Sequence, residues 1–242
     1  MIEEKILKDY SQKSQTSFQN ILREYVQHLF LASFYKKTGA ANFLFKGGTA
    51  LKLVFGSPRF SEDLDFSGLK NSYRYEEILA EVLLDLSFEK ANFDLIESKP
   101  TTGGHLAILK TKIFGESFEL HQEISFRPEK SLVKEIAVVT PDFFPSYQIY
   151  ILAKEKMIGE KIKALLTRQK PRDFFDLYFI LRKNELRQRM KLKADERESI
   201  LTFLEKQDKA KISRELRMLL PKSFWPIIKD LPRALKTELE RR

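Results

Sequence analysis

The stretch "FLFKGGTALKLVFGSPRFSEDLDF" (43–66) limits the fold of this chain more than any other. Its apolar start predicts a short buried strand, because it ends at the paired glycines Gly47 and Gly48. The following "TALKLVF" predicts a short helix that "GSP" ends. In "EDLDF" acidic and apolar residues alternate, which predicts a strand with Asp63 and Asp65 on one face. The stretch therefore predicts a strand–turn–helix unit followed by a second strand.

The paired glycines suit a site for an anion. Glycine lets the backbone approach a ligand closely, and N–H groups at the start of the next helix can bind a phosphate. Thr49 adds a hydroxyl and Lys46 adds a cation beside the same turn. Alone, however, a Gly-Gly pair before a helix is more often only a tight turn, and its spacing is neither that of a P-loop nor that of a dinucleotide-binding fingerprint.

The two aspartates suit a site for a divalent cation. Two carboxylates on one face of a strand repel each other, and a bound Mg²⁺ removes that repulsion while it also holds substrate phosphates. The alternative is an edge strand with a solvated acidic face. Taken alone, Asp63 and Asp65 fit both interpretations.

The rest of the chain predicts helices and strands in a definite order. Two alternating runs joined by Gly115 and Glu116 predict a hairpin with a type II′ turn. The order is a helix, then strands mixed with helices, then helices only. It predicts an α/β (α+β) fold, with a mixed β-sheet core flanked by helices over 1–150 and a helical C-terminal part over 151–242. Helical spacing covers 18–30, 74–90, 150–167 and 171–181, and alternation covers 105–114 and 117–126.

Positive charge is concentrated at the C-terminal end. The net charge is +9, and residues 183–242 contain 17 Lys and Arg against 10 Asp and Glu. A basic appendage on a nearly neutral core is typical of a polyanion-binding protein, although a solvated lysine-rich helical face has the same composition. The chain has no cysteine and three histidines, so disulfides and Cys-ligated zinc are excluded and carboxylates are the expected ligands of any metal.

No segment is predicted to enter a membrane. No run approaches eighteen apolar residues, and the start "MIEEKILKDY" lacks the apolar region of a signal peptide. We therefore expect a cytoplasmic protein with no membrane partner, and the absence of cysteine fits a reducing compartment.

The glycine turn and the Asp-x-Asp strand together resemble the nucleotidyltransferase superfamily that includes DNA polymerase β. More narrowly, residues 46–51 and 59–65 resemble the AbiEii/AbiGii toxin family, with its pattern "KGGTaL…RfSeDiD". These are nucleotidyltransferases of abortive-infection and type IV toxin–antitoxin systems. A second block of the family resembles "GEKIKALLTRQKPRDFFDLYFIL" (159–181). The resemblance extends over about residues 15–185, and residues 186–242 carry no part of it.

The resemblance implies metal-dependent transfer of a nucleoside monophosphate from an NTP to an acceptor, with Mg²⁺ or Mn²⁺ as the cofactor. It implies that Asp63 and Asp65 bind the metal, and that a third carboxylate on a later strand completes the site and activates the attacking hydroxyl. In "FELHQEISF" Glu119 and Glu123 share a face. Glu123 is preferred because the family's carboxylate tends to precede an apolar–polar pair such as "IS", and Glu119 is the alternative.

The same resemblance assigns further roles. It implies that Lys161 and Asp173 act in catalysis, although a solvated lysine and a capping aspartate would explain both without chemistry. Arg172 lies four residues before Asp176 and could simply pair with it. The residues expected to bind the nucleotide are Lys46, Gly47, Gly48, Thr49, Arg59, Ser61, Arg172 and Asp176.

The leading hypothesis is an active nucleotidyltransferase toxin whose acceptor is RNA, most simply tRNA, bound by the basic part from about residue 183. A toxin role implies a neutralising antitoxin protein as partner. Within the same class, the acceptor could be a protein instead of RNA. The alternative class is a catalytically inactive module that binds nucleic acid or protein, but the catalytic aspartates, the glycines and Lys46 are all present. Metal-dependent phosphate hydrolysis is a third interpretation, and it gives no reason for the glycine turn.

Overall fold

A computed structural model describes residues 2–69, 74–89, 91–128 and 132–241. It confirms the predicted mixed α/β fold, with a seven-stranded mixed sheet and helices. None of the described helices is both long enough and apolar enough to cross a lipid bilayer.

The chain divides into two compact units. The first consists of Met1–Gly56 and Phe60–Leu152, and the second of Ser57–Arg59 and Ala153–Arg242. The three residues Ser57–Arg59 thus group with the later part of the chain, although they lie between the glycine turn and the aspartate strand in sequence.

The first unit is built on the sheet. The strands are β1 (Phe43–Lys46), β2 (Leu64–Leu69), β3 (Phe93–Thr101), β4 (Gly104–Ile113), β5 (Glu116–Arg127), β6 (Lys134–Val139) and β7 (Tyr147–Leu152). Their order in the sheet is β3-β4-β5-β2-β1-β7-β6, with β1–β7 and β2–β5 parallel and the other pairs antiparallel. The helices are α1 (Glu4–Lys13), α2 (Phe18–Phe34), α3 (Gly47–Leu53) and α4 (Tyr75–Phe88).

Helix α2 supplies much of the core of this unit. Ser17 caps it by accepting a hydrogen bond from the Asn20 N–H. Phe34, near its C-terminal end, is fully buried, and its ring centroid lies 5.4 Å from that of Phe66 on β2 and 5.9 Å from that of Phe43 on β1. The aromatic residues at helical spacing are therefore core residues that fix the two central strands.

The β4–β5 hairpin is present, but its turn differs from the prediction by one residue. The turn residues are Phe114 and Gly115, with φ values of 51° and 83°, and Ile113 pairs with Glu116. Positive φ at both central positions defines a type I′ turn rather than the expected type II′. The type I′ turn was not predicted because its first central residue is Phe114, whereas glycine or asparagine is usual at such a position.

The second unit is helical throughout its described elements. Pro171 begins a helix, as its fixed φ and missing N–H predict, and Phe174 and Ile180 of that helix are fully buried. The helices are α5 (Lys154–Arg168), α6 (Pro171–Arg182), α7 (Asn184–Arg187), α8 (Ala194–Glu205), α9 (Lys209–Leu219), α10 (Trp225–Lys229) and α11 (Leu231–Glu240).

Candidate active site

The glycine turn lies directly against a carboxylate. Gly47 has a φ of 85°, in the left-handed region that L side chains rarely adopt. A Cβ added to Gly47 would overlap the carboxylate of Asp65 and would lie 2.7 Å from its Cγ. Only glycine therefore satisfies both the backbone conformation of the turn and the position of Asp65.

The other end of the aspartate motif is tied to the same turn. The Thr49 hydroxyl, fully buried at the start of α3, donates a hydrogen bond of 2.5 Å to the backbone carbonyl of Asp63. Thr49 was predicted to contact a triphosphate, and in this structure its hydroxyl holds the residue that precedes β2. Because this hydroxyl already donates to Asp63, the groups of the turn that could bind a phosphate are its backbone N–H groups.

The sheet places two of the predicted carboxylates side by side. Asp65 is the register partner of Lys46 on β1 and of Glu123 on β5. Register partners on adjacent strands direct their side chains to the same face, so these three side chains form a row across β1, β2 and β5. Glu119 lies four residues earlier on β5, opposite Lys110 of β4. The geometry thus brings Glu123, rather than Glu119, beside Asp65.

The row differs in burial from one end to the other. Lys46 is 7% exposed, Asp65 is partly buried, and Asp63 and Glu123 are exposed. In the described residues, no group of three or more Asp, Glu or His side chains is arranged to hold a metal by itself. Mg²⁺ usually takes one or two carboxylates and completes its shell with water and substrate phosphates. The hard oxygens of Asp63 and Asp65 fit a metal of that kind.

Three predicted residues of the second unit form one buried ion-pair cluster. Asp176 accepts hydrogen bonds from Arg59 Nε (2.7 Å) and Nη2 (2.9 Å) and from Lys161 Nζ (2.8 Å). The side chains of Arg59 and Asp176 are 4% and 1% exposed. Burial raises the pKa of Asp176, but the charges and hydrogen bonds of Arg59 and Lys161 outweigh burial and lower the pKa to about 2. Asp176 is therefore ionised and is the shared counter-ion of both cations.

Asp173 and Arg172 contact other residues of the second unit. The buried carboxylate of Asp173 accepts hydrogen bonds from Arg168 Nε (2.9 Å) and Nη2 (2.7 Å) and from the Lys170 N–H (3.2 Å), which caps the start of α6. The Arg172 N–H donates to Glu215 of α9 at 3.3 Å. Capping is one of the explanations that the sequence left open for Asp173, and its predicted catalytic role stays a prediction.

The residue that holds the loop before Asp63 was not predicted from the sequence. Gln27 of α2 donates from Nε2 to the backbone carbonyls of Ser61 (2.8 Å) and Glu62 (3.1 Å), and its side chain is 2% exposed. The backbone carbonyl of Ser61, a residue that was predicted to bind the nucleotide, is thus held in place by Gln27. A lone glutamine on an apolar helix has no sequence signature for this task, because its partners lie 34 and 35 residues away.

Comparison with protein families gives one match that covers most of the chain. The model of the family described as "Nucleotidyl transferase AbiEii toxin, Type IV TA system" matches residues 29–238. The match includes most of 186–242, where the sequence motifs gave no resemblance, so the expectation that the family likeness ends near residue 185 is wrong. No curated protein matches the chain at a significant level.

Solved structures show the same fold at low sequence identity. MenT4, a nucleotidyltransferase toxin from Mycobacterium tuberculosis, is similar with a TM-score of 0.64 and 17% identity, over 100% of this chain and 91% of that one. The protein JHP933 from Helicobacter pylori is similar with a TM-score of 0.56 and 22% identity, over 93% of this chain and 95% of that one. At these identities the likeness supports the fold.

The contact between the glycine turn and Asp65 predicts that Gly47→Ala destabilises the protein more than Gly56→Ala. Gly56 also has a positive φ (77°), but a Cβ there meets no atom within 4 Å, so it adds only backbone strain of roughly 1–2 kcal/mol. At Gly47 the overlap with Asp65 adds to that strain. Urea denaturation measures both free energies of unfolding, and equal losses would contradict the proposed steric contact.

The buried cluster predicts that Asp176→Asn lowers the free energy of unfolding by about 3–5 kcal/mol, because Arg59 and Lys161 lose the charged carboxylate that accepts their hydrogen bonds. The control Glu62→Gln removes an exposed pair with Arg23 and should cost less than about 1 kcal/mol. Since folding lowers the pKa of Asp176 from 3.8 to about 2, its contribution is complete above pH 4 and is lost as the pH falls through 2. Urea midpoints from pH 2 to 7 test this, and a wild type–variant difference that does not shrink in acid would refute it.

Proposed function

The chain belongs to the AbiEii family, the nucleotidyltransferase toxins of type IV toxin–antitoxin systems, and on this premise we propose that it transfers a nucleoside monophosphate from an NTP to RNA, with tRNA as the acceptor. The observation that supports this most strongly is the position of Asp65, which touches the Gly47 turn on one side and has Glu123 as its register partner on the other. The residues that we propose to bind phosphate, to bind the metal and to accept a proton thus lie on neighbouring strands and on the turn that follows β1.

Gly47, Gly48 and Lys46 would bind the triphosphate of the NTP. The turn has no side chain that could block a phosphate, and its backbone N–H groups are the donors. Lys46 brings a positive charge to the same row, at 7% exposure, where a low local dielectric strengthens its attraction to a phosphate. Binding of this kind mostly positions the substrate and neutralises its charge, which is what nucleotidyl transfer needs.

Asp63 and Asp65 would hold Mg²⁺ or Mn²⁺ through their oxygens. When bound, such an ion neutralises the triphosphate and polarises the phosphorus that is attacked. Glu123 would accept the proton of the acceptor hydroxyl, whose oxygen forms a bond to the α-phosphorus while the α–β bond breaks and pyrophosphate leaves. Glu123 is exposed, as a base that must meet an incoming acceptor has to be.

For the residues of the second unit we propose the roles that the family resemblance implies. Lys161 is 12% exposed at its side chain and shares Asp176 with the buried Arg59. Lys161 would act in catalysis, and Arg59 and Asp176 would bind the nucleotide, as the family resemblance implies. Asp173 and Arg172 keep their predicted roles in catalysis and nucleotide binding, since they begin the same helix as Asp176.

RNA would be bound by the basic C-terminal helices. Helix α9 exposes four cations: Lys209, Lys211, Arg214 and Arg217. The Arg217 guanidinium also lies over the Trp225 ring, 5.0 Å from its centroid, and the indole donates to the Leu220 carbonyl at 3.3 Å, so Trp225 is held by its own unit. A neutralising antitoxin is the protein partner that the toxin family implies.

Labelling tests the proposed reaction. The purified chain is incubated with Mg²⁺, total tRNA and each of the four α-labelled NTPs, and we expect label on RNA from one NTP. Asp63→Ala/Asp65→Ala should abolish labelling, and Glu123→Gln should lower the rate by at least about 10²-fold, because a general base is lost. Glu119→Gln is the matched control, and its rate should stay near that of the wild type.

Three other outcomes would each reject a part of this proposal. Label on protein alone would keep the enzyme and exclude RNA as its acceptor. A wild type that binds Mg-NTP, seen as a rise in melting temperature, but labels nothing would indicate a binding module that has lost catalysis. A larger loss of labelling rate in Glu119→Gln than in Glu123→Gln would assign the role of general base to Glu119 instead of Glu123.

The role of α9 predicts a change in the salt dependence of RNA binding. Lys211→Ala/Arg214→Ala should weaken tRNA binding and reduce the slope of log K against log salt by about 1 for each lost phosphate contact. Lys5→Ala/Lys13→Ala removes the same charge from the exposed surface of α1 and should leave the slope unchanged. Filter binding between 50 and 200 mM salt, a range in which phosphate contacts dominate the change in affinity, measures both. Identical slopes in all three proteins would place the RNA elsewhere.

A further inference from the structure

A polar cavity of about 410 Å³ opens beside Glu123, within the first unit. We call it the Glu123 cavity. It is lined by the β3–β4 turn (101–104), by the start of β4 and by residues 123–127 of β5 except Phe126. Its volume falls within the range of about 300–1,000 Å³ that is typical of small-ligand sites, and suits one nucleotide rather than a duplex.

The sheet order sets the side of Glu123 on which this cavity lies. From β5, the strands β2 and β1 lead to Asp65 and the Gly47 turn, whereas β4 and β3 lie in the opposite direction. The cavity is lined from the β3–β4 side, since Leu106 of β4 is the second register partner of Glu123. Glu123 therefore stands between the turn proposed to bind the NTP and the cavity.

In nucleotidyl transfer the attacking oxygen and the leaving pyrophosphate are roughly in line across the α-phosphorus. If the triphosphate is held at the Gly47 turn, the attacking hydroxyl must approach from the far side of the carboxylates. The Glu123 cavity opens on that side. From this geometry we propose that the Glu123 cavity binds the 3′-terminal sugar–phosphate of the acceptor RNA and presents its hydroxyl to Glu123. This inference rests on the function proposed above.

The lining has the chemistry of a sugar–phosphate site. Thr101, Thr102 and Ser125 supply hydroxyls, and Arg127 supplies a guanidinium, the group best suited to bind a phosphate through two hydrogen bonds. A stacked base would need a flat aromatic or apolar wall, and His105 is the sole ring among the residues that line the cavity. The site thus binds the sugar–phosphate backbone of an RNA end and does not select for its base.

The rim of the cavity is fixed before a ligand binds. The Phe126 N–H donates a hydrogen bond of 2.9 Å to the Gly103 carbonyl, which fastens the β3–β4 turn to β5. A Cβ on Gly104 would overlap the Ile124 carbonyl oxygen, so glycine is needed for β4 to start this close to β5. A rim that is already ordered loses little conformational entropy on binding, which favours a specific site over a flexible surface.

Kinetics with total tRNA as the acceptor test the proposal. Arg127→Ala should raise the KM for tRNA about tenfold, as expected for one lost charge-assisted hydrogen bond, and leave the KM for the NTP unchanged. Thr102→Trp, an addition of bulk at an exposed turn, should also raise the KM for tRNA. Lys112→Ala, on the exposed side of β4 and outside the cavity, is the control and should change neither constant.

Binding provides a second readout that does not depend on turnover. A tRNA with a 3′-deoxy terminal nucleotide should compete with tRNA in the wild type and compete about tenfold less well in Arg127→Ala. An unchanged KM for tRNA in both cavity variants of an active enzyme would overturn this inference and leave the proposed function standing. A raised KM for the NTP instead would assign the cavity to the donor. A wild type that labels no RNA would reject the proposed function itself.

Discussion

The contact between the Gly47 backbone and the Asp65 carboxylate is the constraint on which the rest of the site depends. The turn can approach the strand this closely only because Gly47 has no side chain and accepts a positive φ. The hydrogen bond from the Thr49 hydroxyl to the Asp63 carbonyl ties Asp63, the other aspartate of the motif, to the same short helix. Consequently the groups suited to a phosphate and those suited to a metal cannot move independently, and a substrate that carries its metal on its phosphates would meet both at once.

The carboxylates fall into two physical classes, and burial separates them. Asp63 and Glu123 are exposed and can exchange water for a ligand without a large desolvation cost. Asp176 is buried, and the cations Arg59 and Lys161 stabilise its charge, so its ionised form contributes to the free energy of folding. An acidic residue in a family motif can therefore serve either purpose, and only the three-dimensional partners distinguish them.

Local patterns predicted the strand–turn–helix unit and the start of α6 at Pro171, because each depends on neighbours a few residues away. Strand β7 was missed, since "YQIYILAKEKMIGE" (147–160) keeps apolar residues at helical spacing across the boundary between this strand and α5. The Arg59–Asp176 pair was out of reach for a different reason. Its members are 117 residues apart, and no periodicity in one segment reports a partner in another.

Parallel pairing of β2 with β5 explains why Asp65 and Glu123 meet at all. A shift of one residue in this register would bring Gln122 or Ile124 beside Asp65 and turn Glu123 to the buried face. Two features oppose that shift. Gln122 is fully buried and accepts a 2.5 Å hydrogen bond from Tyr75 of α4, and Ile124 is 3% exposed on the same face. Exposing them would leave a buried hydroxyl unpaired and apolar area in water, so packing on the hidden face of β5 sets which carboxylate the open face presents.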